Sequence, residues 1–227
     1  EEQARRRGLL LGALTHEMKT PMTAIIGFSD SLISMPLSEE KRMEASHDIH
    51  EAALRTERLS QKMMQLIAMT DCPVLVKRRL SVDELFQQIQ SMMQEPMANK
   101  ALSLCVHMES DFLQGDADLI VCLLTNLIDN AIKYTPEGGK ITLGMRKEER
   151  QCILTVTDTG TGISPEDLTR VFDRFYRCDE ARKAQSAGHG LGLSIARIIA
   201  VAHGGKIRVR SKVGVGTTFS VLLPTED

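Results

Sequence analysis

The sequence predicts an α+β chain. It begins with an antiparallel helical hairpin that pairs into a dimeric four-helix bundle, and an α/β sandwich follows in which helices cover one face of a mixed sheet. Residues 3–70 show helical apolar spacing, interrupted only around Pro36. Beyond Asp71-Cys72-Pro73, β-branched runs alternate with helical segments, and neighbouring runs are separated by short polar turns. Adjacent hairpins of this kind favour a layered sandwich over a doubly wound parallel sheet.

The N-terminal hairpin is predicted from two long amphipathic segments. In residues 3–35, apolar side chains including Leu14, Ile25 and Leu32 recur at helical intervals. Ser38 is the expected N-cap of a second helix that runs to about residue 70. Because one hairpin cannot cover both apolar stripes, we expect a homodimer whose two hairpins form a four-helix bundle. The alternative is a helix pair that packs on the second domain.

The domain boundary is predicted at Asp71-Cys72-Pro73, which gives domains of residues 1–72 and 73–227. The second domain is expected to hold strands at 74–80, 101–108, 140–147 and 151–158 and two more within 205–223, with helices at 82–98, 116–134 and 189–203. The polar stretch 176–188 has no apolar face and predicts a loop.

Composition excludes several functional classes. The formal net charge of −2 argues against nucleic acid as the main partner. No apolar run approaches the ~20 residues that cross a bilayer. The five cysteines are dispersed, which is typical of free thiols in a reducing compartment. His47 and His50 have metal-ligand spacing but no third ligand nearby in sequence, so we interpret them, like His107 and His203, as structural or surface residues.

A polar face on the helix at 116–134 is the first chemical signal. Asn126, Asn130 and Lys133 share one side of this helix. An amide oxygen can bind a hard cation, and a lysine can contact phosphate. Tyr134 follows with a ring that could lie against a base. A solvated polar face would explain the lysine, but it explains poorly two asparagines one turn apart, because asparagine is a weak helix former.

Two glycine-containing segments give the second signal. Asp158-Thr159-Gly160-Thr161-Gly162 ends a β-branched run, so a carboxylate stands at a strand end beside glycines that allow close approach of a ligand; an ordinary turn is the alternative. Gly188-His189-Gly190-Leu191-Gly192 opens a helix, whose N-terminus favours anionic phosphate. Neither a Rossmann fingerprint nor a Walker loop is present.

Taken in order, these segments resemble the sensor histidine kinases of two-component systems. Asn126–Tyr134 is similar to the N box of that family, Asp158–Gly162 to the G1 box, Phe172–Arg177 to the F box and Gly188–Gly192 to the G2 box. His16-Glu17-Met18-Lys19-Thr20-Pro21 resembles the H box. The resemblance covers nearly the whole chain and implies a phospho-acceptor and dimerisation domain followed by a GHKL-type ATP-binding domain.

The resemblance implies a role for each matched position. Asn130 would bind Mg²⁺, Asn126 would support the polyphosphate, Lys133 would contact phosphate, and Tyr134 would pack on adenine. Asp158 would accept the adenine amino group in a pocket shaped by Gly160 and Gly162. Phe172 and Phe175 would anchor a lid over ATP, and Arg177 could approach the γ-phosphate. The lid hinge would be formed by Gly188, Gly190, Leu191 and Gly192. We assign no role to His189, because the family often has Thr or Ser at that position.

The H box implies the reaction. His16 would attack the γ-phosphoryl group of ATP, and Glu17 would take the proton that is lost. The phosphoryl group would then pass to an aspartate of a response regulator, and Thr20 implies that phosphatase activity on that regulator could accompany the transfer. Pro21 perturbs the helical hydrogen bonds near His16.

Two other functions remain open from the sequence: a GHKL-type ATPase without an acceptor, and a non-enzymatic dimeric scaffold. The chain opens inside a charged helical pattern, so we expect a cytoplasmic portion of a longer protein anchored in a bacterial cell membrane.

Overall fold

Two long helices open the chain, as predicted. Helix α1 spans Glu2–Ser34 and α2 spans Glu39–Thr70. Ser38 is the N-cap of α2, since its Oγ accepts a hydrogen bond from the Lys41 N–H at 3.5 Å and its carbonyl accepts one from the Arg42 N–H at 3.0 Å. Pro21 lies inside α1 and is buried. The hairpin therefore places the H box in the middle of a helix.

This computed structural model describes residues 2–70, 75–148, 150–178 and 188–225, without the side chains of 2–11, 13, 68 and 70. Two units are resolved, Glu1–Ile67 and Ala68–Asp227. Asp71-Cys72-Pro73 lies outside the described residues, so a division between residues 72 and 73 stays a prediction. The same holds for the predicted loop from residue 179 to 187.

The second unit alternates strands and helices. Its elements are β1 (Arg78–Ser81), α3 (Val82–Ala98), β2 (Ser103–Met108), β3 (Phe112–Gly115), α4 (Ala117–Tyr134), β4 (Lys140–Glu148), β5 (Gln151–Asp158), α5 (Pro165–Leu168), α6 (Gly192–Ala202), β6 (Lys206–Lys212) and β7 (Gly216–Pro224). The predicted helix at 82–98 has the observed bounds. The helix expected from residue 189 begins at Gly192, because the preceding glycines adopt loop conformations.

The main sheet is mixed, as predicted. Its five strands have the order β2-β4-β5-β7-β6, in which only β2 and β4 are parallel. Burial alternates along β4, where Ile141, Leu143 and Met145 are buried while Thr142 and Gly144 are half-buried. One face of the sheet is therefore covered and the other faces solvent.

The core lies between that covered face and the helices. Helix α4 contacts α3, α6, β4 and β5. Its inner side and the facing strands bury the following side chains completely or almost so: Ile120, Leu123, Leu124, Leu127, Ile128, Leu143, Leu154, Val156, Phe219 and Val221. The helix that carries the predicted asparagines is thus held along its length by apolar packing.

Two short elements were not predicted. Strand β3 pairs antiparallel with β1, which places Leu80 opposite Leu113. Four residues, Phe-Leu-Gln-Gly, carry too little periodicity to predict a strand, and the partner β1 is remote in sequence. Helix α5 is a single turn that follows the N-cap Ser164.

Candidate functional site

Asp158 ends β5 with a buried carboxylate. Its side chain is 6% exposed. Oδ1 accepts hydrogen bonds from the Gly160 N–H at 2.8 Å and from the Thr217 N–H at 3.2 Å. Burial raises the pKa of Asp158, and these two backbone donors oppose the rise. Both bonds use Oδ1, so the acceptor capacity of Oδ2 is available to a ligand.

The backbone around Asp158 is packed too closely for side chains. A Cβ on Gly160 would lie 2.6 Å from the Tyr134 carbonyl oxygen. Gly216 has φ of +135°, and a Cβ there would collide with the Asp158 carbonyl. The Thr161 N–H also donates to the Tyr134 carbonyl at 3.1 Å. These contacts fix the Asp158 turn against the end of α4.

Helix α4 presents an unusual asparagine. Asn126 is 6% exposed, and its Nδ2 donates to the Cys122 carbonyl at 2.8 Å. Its Oδ1 is buried and has no hydrogen-bond partner among the described residues. A Cβ on Gly192 would lie 3.0 Å from this oxygen, so the orphaned acceptor lies at the start of α6. A buried polar atom without a partner is rare and indicates a missing ligand or water.

The remaining polar residues of α4 follow the same helix. Asn130 and Lys133 are half-buried. The Lys133 ammonium lies 4.9 Å from the centre of the Tyr134 ring, and Gly188 lies directly against the Lys133 Nζ. Burial raises the pKa of Tyr134; Cys178 adds to the rise and Arg177 opposes it. Arg177 is therefore close enough for its charge to influence the ionisation of the Tyr134 hydroxyl.

The F-box aromatics occupy two different environments. Phe172 packs edge-to-face on the core residue Phe219, with ring centroids 6.1 Å apart. Phe175 has a φ of +62°, and its N–H donates to the Gly190 carbonyl at 2.9 Å. A Cβ on Gly190 would lie 2.6 Å from the Tyr176 carbonyl oxygen. The aromatic segment and the glycine segment are thus joined through their backbones.

The glycine segment ends at the N-terminus of α6. Leu191 is buried and is the N-cap residue, but it provides no capping side chain. Ser194 Oγ donates to the Leu191 carbonyl at 2.8 Å. Because Leu191 has no polar side chain, the first N–H groups of α6 have no side-chain acceptor at the cap. They lie next to the Asn126 oxygen that has no hydrogen-bond partner among the described residues. Such a helix N-terminus attracts anions.

Two residue groups at this site were not predicted from the sequence. Lys100 Nζ donates to the carbonyls of Ile132, Lys133 and Thr135 at 2.9, 3.0 and 3.2 Å, which caps the C-terminus of α4. Gly216 and Thr217 hold Asp158 from β7. The segment Gly214-Val215-Gly216, which separates the two strands predicted within 205–223, is the signal that could have identified this contact.

The predicted acceptor residues lie on the first unit. His16 and Thr20 are exposed, and Glu17 is half-buried. Leu14 and Pro21 are buried on another side of α1. His47 and His50 on α2 are exposed, and within the described parts of the chain no group of three His, Cys, Asp or Glu side chains could hold a metal. Among described helices, none is long and apolar enough to cross a membrane.

Two family models match the chain. Residues 6–69 match the His Kinase A (phospho-acceptor) domain, and residues 115–227 match the histidine kinase-, DNA gyrase B-, and HSP90-like ATPase. The sensor protein SrrB of Staphylococcus aureus is 34% identical over 220 residues, which are 93% of this chain and 37% of SrrB. The chain thus spans little more than a third of that relative.

Solved structures of similar proteins share the fold. The histidine kinase AdeS of Acinetobacter baumannii superposes with a TM-score of 0.72 at 21% identity, over 93% of this chain and 98% of AdeS. The histidine kinase ThkA, solved in complex with the response regulator TrrA, gives 0.82 at 24% identity, over 99% of this chain and 64% of ThkA. The mycobacterial sensor kinase MprB gives 0.58 at 26% identity, over 66% of this chain and 97% of MprB.

Proposed function

The chain belongs to the histidine kinases, as the catalytic portion of a sensor histidine kinase, and we propose that it transfers the γ-phosphoryl group of ATP to His16 and then to an aspartate of a response regulator. In this proposal residues 73–227 hold the nucleotide and residues 1–72 hold the acceptor. The phosphoryl transfer, the regulator and any membrane anchoring of the longer protein are parts of the proposal.

The observation that carries the nucleotide assignment is the orphaned Oδ1 of Asn126 at the start of α6. This oxygen needs a hydrogen-bond donor or a cation, and the N-terminus of α6 beside it favours an anion. A suitable ligand therefore carries both. Magnesium bound to a polyphosphate has both properties. Asn130 on the same helix would bind the ion, and Lys133 would contact a phosphate oxygen. Magnesium would neutralise charge on the transferring group.

Adenine would lie beside Asp158. Oδ2 would accept the exocyclic amino group, while Gly160 and Gly162 leave the backbone bare beside the base. Tyr134 would pack against the ring. Phe172 and Phe175 would anchor the segment that covers the nucleotide, with Gly188, Gly190, Leu191 and Gly192 at its hinge and Arg177 near the phosphates.

His16 is suitable as an acceptor because it is exposed. An α-helix turns about 100° per residue, so on α1 His16 and Thr20 lie about 80° or more from the exposed apolar stripe at Met22 and Ile26. They lie about 100° or more from the buried side at Leu14 and Pro21. Glu17, the next residue, would accept the imidazole proton during attack. Thr20 would orient water in a phosphatase reaction on the regulator.

A response regulator is proposed as the partner on two grounds. ThkA, which has this fold, was solved in complex with the response regulator TrrA. The exposed side of α1 that carries His16 would be accessible to such a protein. A GHKL-type ATPase without an acceptor histidine is the second candidate, and the match to the phospho-acceptor domain disfavours it.

The test is incubation of the chain with Mg²⁺ and γ-labelled ATP. We expect acid-labile label on His16, no label in His16→Gln, and normal label in His47→Gln, which removes another exposed histidine, on α2. If His16→Gln retained acid-labile phosphate, the acceptor assignment would be wrong. If neither protein were labelled but ATP were hydrolysed, the ATPase would be favoured.

A further inference from the structure

A cavity lies at the end of the sheet away from Asp158. Its volume is about 300 Å³, and its lining includes Arg79, Phe112, Leu113, Lys147, Cys152 and Thr225. In the β4–β5 ladder Lys147 pairs with Cys152, whereas Ile141 pairs with Asp158. Six residues of strand separate Cys152 from Asp158, which is roughly 20 Å. The nucleotide proposed for the Asp158 end therefore does not account for this cavity.

Two cations line this cavity, Arg79 and Lys147, and both are exposed at the surface. Among the described residues, neither Arg79 nor Lys147 forms an ion pair. The Arg79 guanidinium lies 3.9 Å from the centre of the Phe112 ring. Burial raises the pKa of Cys152 to about 11, despite the opposing effect of Lys147, so the thiol is neutral at pH 7 and does not balance the ammonium. Within the described residues, no ion pair balances the charge of these two exposed side chains.

A buried hydroxyl adds a directed donor. Thr225 Oγ1 is buried and has no hydrogen-bond partner within the part of the chain that the structure describes. A hydroxyl without a partner is costly, and a bound acceptor would remove that cost. Two cations and one free donor in the same cavity favour an anion with oxygen acceptors.

The cavity also has apolar walls, next to the polar residues Ser110 and Gln114. Leu113 is 3% exposed, Cys152 is buried, and Phe112 is 45% exposed at the surface. A volume of about 300 Å³ is at the small end of ligand cavities. An inorganic anion would leave these walls without a partner, whereas a compact apolar group would cover them.

We propose that this cavity binds a small carboxylate with a compact apolar body. The carboxylate lies between Arg79 and Lys147 and accepts the Thr225 hydroxyl, and the apolar body packs on Phe112 and Leu113. The site is separate from the one that would hold ATP.

The test is titration of the ¹⁵N-labelled 227-residue chain with benzoate, followed by amide chemical shifts. We expect saturable shifts at Leu113, Cys152 and Thr225 in the millimolar range. Benzamide, the neutral analogue, and inorganic phosphate, which lacks the apolar body, should each bind at least about fivefold more weakly. Equal binding of either probe would overturn the proposed ligand class, and absence of saturable binding would overturn the site.

Variants localise the interaction. Arg79→Gln and Lys147→Gln should each weaken benzoate binding about fivefold or more, while Arg208→Gln, which removes an exposed cation from β6, should leave it unchanged. Thr225→Val should weaken binding and also raise the Tm of the free protein, because it removes the orphaned hydroxyl. Unchanged binding in the Arg79, Lys147 and Thr225 variants, or displacement of benzoate by ADP, would show that the probe binds elsewhere.

Discussion

At the residue scale, burial of the Asp158 carboxylate lowers the stability of the free protein, and the same carboxylate is the proposed contact for adenine. The carboxylate is buried, and only backbone N–H groups offset the loss of solvation. A buried carboxylate whose pKa is raised by desolvation is typical of a binding residue. In the proposed complex the adenine amino group supplies the donor that Oδ2 lacks.

We predict that Asp158→Asn changes base preference. In the carboxamide an NH₂ group takes the place of the acceptor Oδ2. This donor would repel the amino group of adenine, but it could donate a hydrogen bond to the 6-oxo group of inosine. Loss of a hydrogen bond to a charged group costs about 1.5–3 kcal/mol, so affinity for ATP should fall roughly 10- to 150-fold. Fluorescence titration with ATP and inosine triphosphate measures the ratio, and an unchanged ATP/ITP ratio contradicts the assignment of Asp158.

The same substitution should alter the pH dependence of stability. Because the native pKa of Asp158 is raised above its ordinary 3.8, the folded protein holds this proton to higher pH than the unfolded chain does. The contribution of Asp158 to the free energy of unfolding therefore falls as pH rises above 3.8 and is smallest above its native pKa. Urea unfolding without nucleotide should show Asp158→Asn to be more stable than wild type at pH 7.5, with a smaller difference near pH 4. A lower stability at pH 7.5 would contradict the assigned burial cost.

Residues with unusual backbone requirements were the easiest to predict. Gly160 and Gly190 leave no space for a Cβ, and glycine is the residue type that such positions select. Lys100 was not predicted, because its role depends on residues that are remote in sequence. Its three acceptors lie 32 to 35 positions away, and no local pattern marks a lysine that meets them. The roles of all the predicted site residues toward a nucleotide, those of Asp158, Gly160 and Gly190 included, stay predictions.

At the element scale, α4 is stabilised at its C-terminus by Lys100. Three carbonyls there accept bonds from a single half-buried ammonium. We predict that Lys100→Met lowers the free energy of unfolding by about 2–3 kcal/mol, since it removes charged hydrogen bonds from a helix C-terminus. ADP affinity should also fall several-fold, because Lys133 and Tyr134 end this helix. Urea unfolding and ADP titration test both effects.

Lys206→Met is the matched control for this prediction. Lys206 is exposed on β6, so its replacement should change stability by less than about 0.5 kcal/mol. If Lys100→Met were equally neutral, the lysine would not be a structural cap.

The N-terminus of α4 is joined to the C-terminus of α6 by His203. This residue is 2% exposed; its Nδ1 contacts the Ile199 carbonyl at 2.8 Å, and its Nε2 accepts the Asp116 N–H at 3.1 Å. These bonds assign the neutral form with the proton on Nδ1. Asp116 in turn caps α4 through the Leu119 N–H. His203, which the sequence suggested to be structural or at the surface, therefore connects the two helices that carry the proposed phosphate site.

We predict that His203→Leu destabilises the protein by about 1–3 kcal/mol, because the Asp116 N–H loses its acceptor. His203→Gln should lose less, since its amide oxygen can accept the same bond. His107→Leu, an exposed histidine on β2, is the control. Urea unfolding gives the free energies, and a His203→Gln protein as unstable as His203→Leu would show that packing, not the hydrogen bond, dominates.

Elements were predicted where periodicity extends over many residues. Helices α1 to α4 and the four strands β4 to β7 have long patterns and appear near their expected positions. Strand β3 and helix α5 consist of four residues each, so their formation depends on tertiary partners. Helix α6 begins later than expected: Gly190 has a φ of +66°, which lies outside the right-handed helical region, and a sequence pattern does not report that conformation.

At the scale of the whole molecule, the hairpin leaves a surface that a single chain does not cover. Met18, Met22, Ile26 and Ile33 recur along one side of α1, with exposures of 36%, 48%, 57% and 84%. These positions fall within a sector of about 80° on the helix. A continuous apolar stripe of this kind marks an interface, and the proposed partner is a second copy that completes a four-helix bundle.

We predict that the 227-residue chain is a homodimer and that Met22→Lys combined with Ile26→Lys makes it monomeric, because two ammonium groups would enter the interface. Analytical ultracentrifugation measures the state across protein concentration. Val201→Lys, which places the same charge on an exposed apolar residue of α6, should remain dimeric. ADP affinity should stay within about twofold in all three proteins, since the proposed nucleotide site lies in the second unit. A monomeric wild type would contradict the predicted homodimer, and a dimer unaffected by the α1 substitutions would place the interface elsewhere. Loss of ADP binding together with the dimer would show that the second unit depends on the bundle.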